Sequence, residues 1–159
     1  MKFRDSASFG KRQEFLTMAD LLKRGYDVYP TLVDDKQIDC IIRMETEKGP
    51  KYIDIQIKAR SKSAKKESWG AWPSVKLENP RKNLVYIFYS EPLETIWIIP
   101  SIAISQLGYQ SKSTMETPIY QLNFEKVKKK KGKVIDFIPV EKFEVFKNAY
   151  HLIDECAIE

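Results

Sequence analysis

Apolar residues recur at helical spacing early in the chain. Phe15, Met18, Ala19 and Leu22 fall on one face, flanked by Leu16 and Leu21, so residues Ser6 to Lys23 are expected to form a helix. Ser6 or Ser8 is placed to cap its start, and Gly25 to end it in a left-handed conformation. The period then changes to two. Tyr26–Leu32 reads as a short strand, kept to a sheet edge or bent by Pro30. Ile38–Met44 reads as a second strand and Tyr52–Ala59 as a third. The turn signal Glu47-Lys48-Gly49-Pro50 between them predicts an antiparallel hairpin. In the third strand Ile53, Ile55 and Ile57 face one side, and Tyr52, Asp54, Gln56 and Lys58 the other.

From Arg60 to Lys82 the alternation stops. This segment is polar and basic and contains Trp69, Gly70, Trp72, Pro73 and Pro80, which predicts a long loop of the kind that is functional or disordered. Two apolar strands follow, Asn83–Tyr89 and Thr95–Pro100, then a short helix over Ser101–Leu107 that Gly108 ends. Gln110–Pro118 reads as a polar loop and Ile119–Phe124 as a short edge strand. Lys126–Lys133 reads as a solvated lysine run and Val134–Ile138 as a further strand. Val140–Glu155 is expected to form a closing helix, with Phe143, Phe146, Ala149, Tyr150 and Ile153 on one face. The order predicts an α/β fold, a central mixed sheet flanked by helices. A chain of 159 residues is expected to form a single domain over 1–159. Its core would lie at about 8–100 and a C-terminal elaboration at 101–159.

Composition narrows the class. Hydrophobic residues make up 43% and charged residues 31%, as in a soluble globular protein. The amino terminus lacks the apolar run of a secretory signal, and no stretch approaches the ~18 apolar residues of a membrane span. Cys40 and Cys156 stand apart in apolar sequence. They are expected to be buried free thiols, which fits a reducing cytoplasm and excludes a structural zinc site. The net charge of +5 and pI of about 9.1 are compatible with a polyanionic partner and do not by themselves require one.

The third strand carries the unusual chemistry. Asp54, Gln56 and Lys58 share a face opposite three isoleucines, and buried groups of this kind need a partner or a task. The hairpin partner adds Asp39 near its start. An acid, an amide oxygen and a lysine at one end of a hairpin suit phosphodiester hydrolysis. Mg²⁺ takes hard oxygen ligands from one or two carboxylates, with water and phosphate completing its shell. A neighbouring lysine orients the attacking water and offsets charge in the transition state.

Gly10-Lys11-Arg12-Gln13-Glu14 on a helix, Asp39 next, and Gln56-Ile57-Lys58 on a strand together resemble the PD-(D/E)xK nuclease superfamily. The likeness is to its Holliday-junction-resolvase-like and Mrr-like endonucleases. It spans about residues 8–61, loosens up to Pro100, and leaves the last third of the chain without a motif. The resemblance implies a restriction-endonuclease-like core and a Mg²⁺- or Mn²⁺-dependent endonuclease acting on DNA. Asp39 matches the family's metal-binding strand acid, Gln56 its second acid position, Lys58 its lysine, and Glu14 the helix glutamate that adds to the metal site. Two departures stand out. Ile38 replaces the proline, and Gln56 offers an oxygen without a charge. Glu14 would supply the missing charge, with Asp54 as a fallback ligand.

Plainer readings stand beside these. Asp39 could only accept backbone hydrogen bonds at a strand start. Lys58 could pair with Asp54 or Asp39, and Glu14 could lie on a solvated helix face. In the loop, Arg60, Lys62, Lys65 and Lys66 are suited to phosphates, and Trp69 and Trp72 to stacking on a base or to packing on the core. His151, the only histidine, has no triad around it, and no Gly-rich phosphate loop is present.

The expected partner is therefore nucleic acid, DNA before RNA, and no membrane. A two-fold homodimer would serve to cut both strands. The short chain leaves room for a separate specificity partner in host defence or repair. The rival reading, favoured by Gln56, is a module that keeps the fold, binds nucleic acid or protein, and does not cut. An RNA-cutting toxin is a third.

Overall fold

The computed structural model describes residues 3–33, 36–111 and 117–158. Helix α1 (Phe3–Lys23) leads into β1 (Asp27–Pro30), β2 (Cys40–Thr46) and β3 (Gly49–Arg60). After a 3-10 turn at Lys66–Ser68 come β4 (Ala71–Lys76), β5 (Leu84–Ser90), β6 (Thr95–Pro100) and α2 (Ser101–Leu107). The chain continues through β7 (Tyr109–Gln110), β8 (Ile119–Asn123), β9 (Glu125–Lys130), β10 (Lys133–Pro139), α3 (Glu141–Glu144) and α4 (His151–Ile158). Much of the loop expected over Gln110–Pro118 lies outside the described residues. No described helix is long and apolar enough to cross a membrane.

The central sheet is mixed, in the order β1-β2-β3-β5-β6. The expected β2–β3 hairpin is there, with Cys40 opposite Ile55 and Thr46 opposite Gly49. β3 and β5 run parallel, and β1–β2 and β5–β6 antiparallel. A parallel pair needs a crossover, and this is why the long loop expected over Arg60–Lys82 does not exist as such. Its first residue, Arg60, ends β3, its middle forms β4, and β4 enters a second sheet of order β4-β8-β7. Trp72 and Val75 give β4 its buried face.

The two faces of the central sheet carry separate cores. Ile42, Ile53, Ile55, Ile57, Val85, Ile87 and Ile98 meet Met18 and Leu21 of α1 and Ile153 and Ala157 of α4. On the other face Tyr86, Phe88, Trp97 and Ile99 meet Trp72 and Val75 of β4, Leu122 of β8, Ile104 of α2 and Phe143 of α3. β5 sits between both layers and is almost wholly buried, as its continuous apolar run requires.

Three sequence expectations are corrected by these contacts. First, α1 starts at Phe3, so Ser6 and Ser8 lie inside it. It also buries a face rotated from the most apolar one: Phe9, Gln13, Thr17, Met18 and Leu21 are inside, while Phe15, Leu16 and Leu22 are exposed. Helical periodicity allows several faces, and the docking of Met18 and Leu21 on the isoleucines selects one. Gly25 does end the helix, at φ 92°, with Tyr26 N donating to Leu21 O at 3.1 Å. Secondly, the closing helix is broken. Ile98 N donates to Phe146 O at 2.9 Å and Asn148 N to Ile96 O at 3.1 Å. Residues 146–148 thus cover the open edge of β6, whose backbone groups need partners, and Asn148 takes φ 50° to restart the chain as α4.

Thirdly, the lysine run is a strand pair. β9 and β10 form a ribbon whose turn, Lys131-Gly132, has φ 50° and 76°. Positive φ at both turn residues is the geometry that matches strand twist in a two-residue hairpin. Cys40 is buried as expected, but Cys156 is only half-buried; both are free thiols.

Candidate active site

Asp39 lies one residue before β2, where its ladder with β3 ends. Its Oδ2 accepts a 2.6 Å hydrogen bond from Ile57 N, and its own N donates to Ile55 O at 2.9 Å. The carboxylate therefore sits close to the plane of the sheet, in the position a further ladder bond would occupy. This is the plain role set out for Asp39, and it also fixes the acid between Gln56 and Lys58. Asp39 is 8% exposed.

Gln56 and Lys58 point to the face that carries the second sheet, since their β5 partners in register are Tyr86 and Phe88. Gln56 is 5% exposed. Its Nε2 donates to Gln37 Oε1 across a long 3.4 Å, and its Oε1 is buried with no hydrogen-bond partner. A buried acceptor left unpaired costs ~1–3 kcal/mol. Lys58 is half-buried. Gln37, which turns the amide, has φ 56°; nothing in the local sequence marked it.

Glu14 approaches from the other side, because α1 packs on the isoleucine face. It is ion-paired with Lys11 one helical turn away. The thiol of Cys40 is pushed up to about 12, first by burial and then by the negative charges of Asp39 and Glu14. Both carboxylates are thus within electrostatic reach of the same sulfur. Asp54 is engaged elsewhere, in a 2.6 Å ion pair with Arg81, so the fallback ligand is held in a structural bridge.

Among the described residues, no group of three or more His, Cys, Asp or Glu gathers where a metal could bind. The register of the hairpin instead brings one carboxylate, Asp39, one amide, Gln56, and one amine, Lys58, to the same end of the sheet. That set fits a Mg²⁺-like ion, which keeps most of its shell as water and phosphate. The orphaned Oε1 is an acceptor that a cation or a hydrogen-bond donor would satisfy. Beside it, a cleft of about 330 Å³ is lined by Lys36, Gln37, Lys76, Arg81 and Tyr86. Lys76 and Arg81 come from the basic segment Arg60–Lys82 and Lys36 from the turn before β2. Glu78 also lines the cleft and Arg81 is paired with Asp54, so the wall carries only a modest positive excess.

The residues expected to grip nucleic acid divide. Trp72 is corrected to a core residue: it is 5% exposed and lies 5.0 Å from Phe88 and 5.2 Å from Phe124 between ring centroids. A ring so enclosed cannot stack on a base. Arg60 is half-buried, its Nη2 donating to Ala71 O at 2.6 Å and its guanidinium 5.4 Å from the Trp72 ring. Burial holds its pKa below the usual value. Trp69 stacks on Phe137 at 5.6 Å and donates from Nε1 to Ala64 O. Lys62, Lys65 and Lys66 are exposed, as a phosphate contact requires.

No family model and no curated protein sequence matches the chain. Among solved structures it is similar to that of a bacterial homing endonuclease, I-Ssp6803I. The TM-score is 0.54 at 18% identity, over 94% of this chain and 94% of that chain. At that identity the likeness is one of fold, the mixed α/β arrangement with its central sheet.

Proposed function

We propose that the chain is a metal-dependent endonuclease that hydrolyses DNA phosphodiester bonds. The observation that carries this reading is the unpaired, buried Oε1 of Gln56, held beside the in-plane carboxylate of Asp39 and on the same face as Lys58. Asp39 and Gln56 would hold Mg²⁺ or Mn²⁺, and Glu14, which lies on the isoleucine face and is paired with Lys11, would add its charge only by reaching round the end of the sheet. When bound, the cation offsets charge developing on the phosphoryl oxygens. The Lys58 ammonium orients the water that attacks phosphorus, so that one P–O bond forms as the bond to the leaving oxygen breaks. Lys62, Lys65 and Lys66 hold the phosphate backbone near the site. A fold shared with a homing endonuclease supports this class of reaction. Cutting both strands calls for a second copy in a homodimer, and a separate partner would supply sequence specificity, in host defence or repair.

A second reading has its own support. Glu14 is already paired with Lys11, and the site lacks a second acid on the hairpin. In that reading the fold binds DNA without cutting it. Supercoiled plasmid with Mn²⁺ separates the two. Asp39→Asn is the fitting variant, because it keeps an acceptor for Ile57 N and removes only the charge. The parent is expected to nick the plasmid, and Asp39→Asn and Lys58→Ala to lose at least ~100-fold in rate while still binding DNA. Equal nicking by parent and Asp39→Asn would end the catalytic proposal. Failure of the parent to nick at all would leave the binding reading in its place.

A further inference from the structure

We propose that the β9–β10 ribbon is the element that enters the major groove of duplex DNA, with Lys126, Lys128 and Lys130 against the phosphates. The proposal deepens the nuclease reading and rests on it. Among the described residues β9 and β10 pair with each other and with no other strand, so the ribbon is a separate two-stranded sheet. Register sorts its side chains. Val127 faces Phe137 and Lys129 faces Val134 on one side; Lys126 faces Ile138, Lys128 faces Asp136 and Lys130 faces Lys133 on the other.

The first side is the anchored one. Phe137 stacks on Trp69 at 5.6 Å, Lys129 pairs with Glu67 at 3.4 Å, and Lys66 Nζ donates to Val134 O at 3.3 Å. Gly70 fixes the base: a Cβ there would lie 2.5 Å from Glu125 Cβ, and Gly70 O accepts from Phe124 N at 2.8 Å. The second side is left to solvent. Lys126, Lys128, Lys130 and Lys133 are all exposed, and none makes an ion pair with a described residue. Asp136, opposite Lys128, offsets one of these four charges; the remaining like charges repel one another in the free protein, and polyanion binding relieves that repulsion. Exposed Ile138 lies opposite Lys126 on this side, apolar surface suited to thymine methyl groups.

Shape decides the groove. A two-stranded ribbon fits the ~12 Å major groove of undeformed B-DNA, whereas entering the ~6 Å minor groove requires the duplex to be widened and bent. The deep, narrow major groove of A-form RNA excludes it. With 6 residues in β9 the ribbon is about 20 Å long, enough to reach the groove floor. Its base also lies at the right end of the sheet. Ser90 Oγ donates to Trp69 O at 2.8 Å, and Ser90 is opposite Arg60, two residues beyond Lys58. A ribbon seated in the groove thus holds the backbone beside the proposed site.

The test compares two charge-matched variants by binding to a 30-base-pair DNA duplex with chelator present. Lys126→Gln/Lys128→Gln/Lys130→Gln alters the ribbon; Lys23→Gln/Lys48→Gln/Lys51→Gln alters the far end of the sheet. Each lowers the net charge from +5 to +2. The ribbon variant is expected to bind at least ~10-fold more weakly at physiological salt, with a log–log salt slope smaller by about 2–3. The control should stay within about twofold. Lys128→Glu alone should weaken binding as well, which guards against an idiosyncrasy of the triple change, and thermal melting confirms each fold. The parent should prefer DNA to RNA duplex of the same sequence, and the ribbon variant should lose that preference. Equal weakening of both triple variants, or equal parent affinity for the two duplexes, would overturn the groove assignment while plasmid nicking by the parent still stood. A parent that neither binds nor nicks DNA would overturn the nuclease reading beneath it.

Discussion

Gln56→Glu restores an acid at the one hairpin position that lacks it, and the sign of its effect should depend on metal. Without metal the new carboxylate is buried, close to that of Asp39, and loses the donation from Nε2 to Gln37. An unsatisfied buried polar group costs ~1–3 kcal/mol, and Lys58 on the same face sets the lower end of that range. For a chain of this length each kcal/mol moves the melting temperature by ~2–4 °C. The variant should therefore melt ~4–8 °C below the parent in chelator, taking ~2 kcal/mol as the centre. The penalty is one of charge, so the carboxyl should be raised above its ordinary value. Stability relative to the parent is then retained below ~4.3 and lost as pH rises through the raised value. With Mn²⁺ the same oxygen becomes an anionic ligand. Each tenfold gain in metal affinity returns about 1.4 kcal/mol, so saturating Mn²⁺ should close the gap or invert it. The assay is a thermal melt of both proteins with chelator and with Mn²⁺, over a pH series. A gap that is the same in chelator and in Mn²⁺ would refute the argument that Oε1 of Gln56 faces a cation site.

Three further outcomes follow from the packing. Trp72→Ala removes a ring enclosed by Phe88, Trp97 and Phe124 and should cost ~3–5 kcal/mol in urea denaturation; a loss under ~1 kcal/mol would contradict its place in the core. Cys40 should resist thiol reagents in the native protein, since its thiol is pushed up to about 12 and the residue is buried, while half-buried Cys156 reacts. Equal native labelling rates would refute this. Tyr26, Tyr86 and Tyr150 are each pushed up to about 12, chiefly by burial. A raised phenol favours the folded state fully below the ordinary 10.0 and loses that effect as pH rises through about 12. Phenolate absorbance and circular dichroism should therefore change together in that window, and ionisation of all tyrosines near 10.0 with the fold intact would show the burial to be wrong.

Local pattern was enough to determine the elements whose partners are near in sequence. The β2–β3 hairpin, the apolar strands β5 and β6, α2 with its stop at the extended Gly108, and the helix end at the left-handed Gly25 were legible because alternation, turn residues and glycines act within a few residues. The same hairpin put Asp39, Gln56 and Lys58 at one end. What lay beyond the sequence needed contacts between distant segments. The crossover that lays β4 and Trp72 on Phe88 turned an expected surface loop into core, and the bare edge of β6 broke a well-patterned helix to gain backbone partners. Docking of Met18 and Leu21 left Phe15 outside. The orphaned amide oxygen, the pairing of Asp54 with Arg81 and the sidedness of the lysine ribbon are likewise tertiary facts. Period and composition say that a residue is apolar or charged; only the neighbour brought up by the rest of the chain says what it meets.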